Sequence, residues 1–121
     1  MKKIAAILLT ATALTAHAQS RDDAVMMARC SAEFTASASL LGEQHPGFNS
    51  LMEKSGTSYR ISYRMYQGIG ANPELAANES KAWIKTLTRQ FAQDPSYVRN
   101  YLVSEARECS QHNVRYKALS N

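Results

Sequence analysis

Cys30 and Cys109 are the only two cysteines in the chain, and two sulfurs can bind a metal, exchange electrons or join. A redox pair generally needs the Cys-x-x-Cys spacing that tunes a thiol, and that spacing is absent. A zinc site needs further ligands at short spacing. His45 and His112, the histidines beyond the N-terminal leader, have no partner at HxxxH-type spacing. No metal is expected. A structural disulfide between Cys30 and Cys109 is the expectation, given an oxidising compartment.

Other chemistry is sparser. Tyr59, Tyr63 and Tyr66 recur at helical spacing, and Arg60 and Arg64 follow the first two. Tyr and Arg concentrate at interface hot spots because they combine large rigid area with a polar tip. These five residues are therefore the candidate partner-binding set. The competing reading makes the stripe a core face with its hydroxyls at the rim, and Tyr97, Arg99 and Tyr101 share that ambiguity. Met26 and Met27 lie one turn before Cys30, and His112 one turn after Cys109, so in an antiparallel pair they face each other. Met and His are axial haem ligands, and helix bundles hold haem in their cores. No CxxCH motif accompanies them, and Met more often fills a core. No cofactor is expected, with a haem-binding bundle as a lesser alternative. Glu33, Glu105 and Glu108 read as surface charges on amphipathic helices. No GxSxG elbow or phosphate loop is present and both thiols are committed, so no enzyme is expected.

The first eighteen residues read as a secretory signal peptide. Lys2 and Lys3 form a positive start, Ile4 to Ala16 an apolar run too short to span a bilayer, and Ala16-His17-Ala18 a cleavage site. Cleavage after Ala18 leaves residues 19–121 as one helical domain in the periplasm or outside the cell, with no membrane anchor. The chain has 14 Lys and Arg against 10 Asp and Glu. Without Lys2 and Lys3 the balance is 12 against 10, a net charge of +2. With acids interspersed among the bases, nucleic acid is a poor partner.

Four helices must position these residues. Ser20-Arg21-Asp22-Asp23 has the form of a capping box, and Met27, Cys30, Phe34, Ala38 and Leu41 follow at helical spacing until Gly42. Ser50-Leu51-Met52-Glu53 predicts the second start. Its expected seam is Met52, Gly56, Tyr59, Tyr63, Tyr66 and Gly70, either continuous through Gly56 or beginning near Ser58. Asn72-Pro73-Glu74 and Asp94-Pro95 predict the third and fourth starts. Lys81, Lys85 and Arg89 mark a solvated face. The last helix carries Val98, Tyr101, Leu102, Ala106, Cys109 and Tyr116, with fraying expected around Ser110 to Asn113.

Short connections and no strand pattern predict an all-α, up-down-up-down bundle with the disulfide joining its first and last helices. The functional expectation is an exported module that binds another protein, most concretely an inhibitor or immunity protein against a cell-wall-active enzyme. A periplasmic holdase is the alternative. The oligomeric state is not legible.

Overall fold

Ser20 starts the fold as its sequence predicts. Its hydroxyl accepts from the Asp23 amide at 3.2 Å, and the Asp23 carboxylate accepts from the Ser20 amide at 3.1 Å. That reciprocal pair serves two helix-end donors at once. In the computed structural model, which describes residues 20–121, it opens α1 (Arg21–Leu41), followed by α2 (Phe48–Gly68), α3 (Leu75–Gln93) and α4 (Pro95–Arg115). A 3-10 turn, Lys117–Ser120, closes the chain, and there is no strand among the described residues. The expected signal peptide, 1–18, lies outside the described residues.

The directions follow from paired residues. On α1 and α2, Ser31 meets Ser55 and Ala24 meets Ser62, so the two helices run antiparallel. On α1 and α3, Arg29 meets Glu79 and Glu33 meets Trp83, so these run parallel. On α2 and α4, Leu51 packs near Ala106 and Ser58 bonds Asn113, again parallel. This is up-down-up-down, and the Cys30–Cys109 disulfide joins α1 to α4 as expected.

The four helices are not equivalent. Each helix touches the other three, but α1 packs most extensively and buries nine residues, whereas α3 buries only Ala76 and Leu87. The small side chains of α1 explain this. Ala24, Ala28, Ser31, Ala32 and Ala38 are all buried, and small residues let neighbouring backbones come close. α2 answers with Ser55, Ser58 and Ser62, also buried. Ser62 Oγ donates to the Ala24 carbonyl at 2.7 Å, and Ser55 Oγ donates to the Ser31 carbonyl at 2.8 Å. Ser55 Oγ also lies within bonding distance of the Ser31 and Thr35 hydroxyls. Each buried hydroxyl thus keeps a partner, which makes its burial tolerable.

The seam of α2 therefore differs from the expected one. Its buried residues are Ser55, Ser58, Ile61, Ser62, Met65 and Tyr66, while Met52 is exposed. Hydrophobic spacing overlooks serines, yet here they face the core because α1 is narrow opposite them. The helix is also continuous through Gly56 and begins at Phe48, ahead of Ser50. α3 begins at Leu75, after a turn in which the Asn72 carboxamide oxygen accepts from the Glu74 amide. Asp94 caps α4 as expected, its carboxylate accepting from the Tyr97 amide at 3.1 Å. The last turns of α4 do not fray. Asn113 is buried, accepts from Ser58 Oγ at 2.6 Å and donates to the Lys54 carbonyl at 3.2 Å. Lys81, Lys85 and Arg89 are exposed, as their spacing implies.

Candidate functional site

Of the five candidate partner-binding residues, Tyr66 is 2 % exposed and belongs to the core around Met27, Ile61 and Met65. Tyr59 and Tyr63 are half-buried against that core, their rings 6.2 Å apart. Arg60 and Arg64 are exposed, and Arg60 Nε donates to the Ser120 carbonyl at 2.8 Å. The rings of this stripe lie mostly inward, and Arg60 ties down the C-terminal turn.

A concave feature lies elsewhere, where α1, α3 and α4 meet at the disulfide. It is a cleft of about 420 Å³. α1 contributes Asp22, Val25, Met26, Arg29, Cys30 and Glu33, and α4 contributes Tyr101, Glu105, Glu108, Cys109 and His112. Both sets recur at three- and four-residue intervals, the signature of one helical stripe facing another. α3 supplies Trp83. The disulfide fastens the two walls together at the floor.

Glu33 is the unusual member. The expectation of a surface charge fails, because the residue is 3 % exposed. Its Oε2 accepts from Trp83 Nε1 at 3.0 Å and from the Tyr101 hydroxyl at 2.5 Å. Burial nevertheless dominates and pushes the carboxyl up from 4.5 to about 7; the Tyr101 and Trp83 donors oppose this, and the Glu105 carboxylate adds to it. Burial, then the Glu33 carboxyl, also push the Tyr101 phenol upward. At neutral pH the floor of the cleft is thus a carboxyl poised to gain or lose a proton.

The remaining walls are mixed. The Arg29 guanidinium stacks 4.4 Å from the Trp83 ring centroid, and its Nε bonds Glu79 at 2.9 Å. Met26 and His112 line the cleft together, while Met27 turns away into the core. An anionic haem would meet the carboxylates of Asp22, Glu105 and Glu108 there, so the lining suits a cation better. Cys30, Cys109 and Glu33 have ligand atoms within 4.8 Å of one another. The two sulfurs are bonded to each other, which removes them as metal ligands in the oxidised protein. The histidine in the first loop, His45, accepts from the Gly47 amide at 2.9 Å and shapes that turn.

Sequence reasoning had one available signal for Glu33. It sits between buried Ala32 and Phe34 and one turn after Cys30, inside the apolar stripe of α1. A second surface also escaped the hydrophobic pattern. Leu40, Leu41 and Val103 are exposed along a groove that includes Leu51, Leu102 and Ala106. Among the described residues no helix is long and apolar enough to cross a membrane. No family model, curated protein or solved structure matches the chain.

Proposed function

We propose that the chain is an exported protein-binding module that docks on another protein through the cleft at its disulfide. An inhibitor or immunity protein against a cell-wall-active enzyme is the most concrete form of this reading. The observation that supports it is the concave, acidic cleft with buried Glu33 at its floor and a disulfide fastening its walls. A braced, preformed recess spends little free energy on ordering when a partner arrives, which favours recognition. The disulfide is also compatible with an oxidising compartment. The test is inhibition and direct binding measured against purified muramidases and peptidoglycan amidases, with protein isolated from the periplasm. Binding of one enzyme class that Glu105→Gln and Glu108→Gln together weaken supports the reading. Binding that ignores those substitutions removes the cleft from it.

The holdase reading rests on a different observation, the exposed Leu40, Leu41 and Val103. It expects suppression of client aggregation that polar substitutions at Leu41 and Val103 abolish. Unchanged suppression in those variants rejects it.

A further inference from the structure

When Glu33 ionises, one of its oxygens has no donor from the protein. Oε2 has Trp83 and Tyr101 as donors. Oε1 lies 3.5 Å from Cys109 Sγ, and that sulfur is bonded to Cys30, so it carries no hydrogen to give. Glu105 hydrogen-bonds Glu33 while the pair carries a proton, and adds a second negative charge once both are ionised. A carboxylate oxygen held at 3 % residue exposure without a donor is costly. The site therefore needs either a proton or a positive group from outside.

The walls indicate which positive group fits. Four carboxyl groups line the cleft, from Asp22, Glu33, Glu105 and Glu108. Among the described residues lining it, Arg29 is the one Lys or Arg, and its guanidinium is engaged by Glu79 and Trp83. Val25 and Met26 offer apolar surface beside the disulfide. Acid at the floor and rim, with apolar surface beside it, matches a compact charge on an alkyl stem. With Oε2 held by Trp83 and Tyr101, Glu33 offers a single oxygen and no bidentate edge, which suits the point charge of an ammonium better than the two-pronged fork of a guanidinium.

We infer that the cleft binds a primary alkylammonium group, supplied by a lysine side chain of the partner, with the ammonium at Glu33 and Glu105. This rests on the protein-docking reading for its source, but the ammonium site stands or falls separately. Binding exchanges one positive group for another. The ammonium enters as the Glu33 proton leaves to solvent, so affinity rises with pH, and the bound cation makes Glu33 more acidic by the same coupling. The charged or titratable groups that line the cleft with Glu33 are Asp22 and Arg29 from α1 and Tyr101, Glu105, Glu108 and His112 from α4, with Glu79 of α3 held on Arg29; Tyr101 and Glu105 act on Glu33 directly.

Trp83 is the only tryptophan in the chain, and its indole N–H bonds Glu33 directly, so that N–H resonance reports the site. Periplasm-purified protein is titrated with Nα-acetyl-lysine N-methylamide, with the norleucine analogue as the uncharged control and 1,4-diaminobutane as a free amine. The expected result is a saturable shift of the Trp83 indole resonance by the lysine probe, at least about tenfold tighter at pH 8 than at pH 5.5. Glu33→Gln abolishes that pH dependence, Glu105→Gln weakens binding at both pH values, and His112→Gln retains the pH dependence. No saturable shift at pH 8, or an equal shift with the norleucine analogue, overturns the site. Diamine binding without lysine-probe binding overturns the assignment to a protein side chain. If the lysine probe binds but no wall enzyme does, the ammonium site survives and the choice of partner fails.

Discussion

Replacing Glu33 by glutamine tests the energetic core of the account, because burial, reinforced by the neighbouring Glu105, is what pushes this carboxyl up. The folded chain holds the Glu33 proton up to about pH 7, and its ordinary value is 4.5. Between those values the folded state binds a proton that the unfolded chain has released. The stability this group contributes is therefore fully present below about pH 4.5 and is lost as pH rises through about 7. At 1.36 kcal/mol per tenfold change, the loss is about 3 kcal/mol, which matters for a domain whose total is about 5–15 kcal/mol. In Glu33→Gln the carboxamide keeps an oxygen for Trp83 and Tyr101 and places its amide towards Glu105, without a charge to bury. Urea unfolding of the oxidised protein, followed by circular dichroism from pH 5 to pH 8.5, gives the difference between variant and wild type. We expect near-equality at pH 5 and a Glu33→Gln advantage of about 2–3 kcal/mol at pH 8. An identical pH slope in the two proteins refutes the reasoning, as does a variant less stable than wild type at pH 8.

Three further outcomes test the scaffold. Removing the Cys30–Cys109 bridge, which spans 79 residues of sequence, should cost about 4.5 kcal/mol on the chain-entropy model; an unchanged urea midpoint after reduction and alkylation contradicts this. Gly56→Ala should stabilise by about 0.5–1 kcal/mol, because an added methyl meets only the flexible end of Arg60 at 3.3 Å; a lower melting temperature would show that α2 needs the glycine. Asn113→Ala should cost about 1–3 kcal/mol by leaving buried Ser58 without its acceptor, and a loss below about 0.5 kcal/mol on the same urea assay would show that Ser58 finds another partner.

What is legible in the sequence is local or covalent. The Ser20 capping box and the Asp94-Pro95 start depend on atoms three residues apart, and the two cysteines have no other partner. Hydrophobic spacing misplaces the α2 seam because serine at positions 55, 58 and 62 reads as polar. Ser55 and Ser62 fit because α1 offers small residues and carbonyls opposite them, and Ser58 because Asn113 of α4 accepts from it, none of which periodicity sees. Glu33 is hidden for a related reason. Its donors, Trp83 and Tyr101, lie 50 and 68 residues away in sequence, so only the assembled bundle places an acid in an aromatic recess. The cleft itself is half visible, since spacing sets Met26 and His112 opposite each other beside the disulfide and both line it.

The floor of the cleft is a carboxyl awaiting a proton or a cation, and its own titration is the most direct test. Selective 13C labelling of glutamate, with the Glu33 side-chain carboxyl assigned by its loss in Glu33→Gln, measures it. The expected result is a titration midpoint near 7, moving together with the Trp83 indole N–H. A midpoint near 4.5, with an indole resonance indifferent to pH, contradicts it.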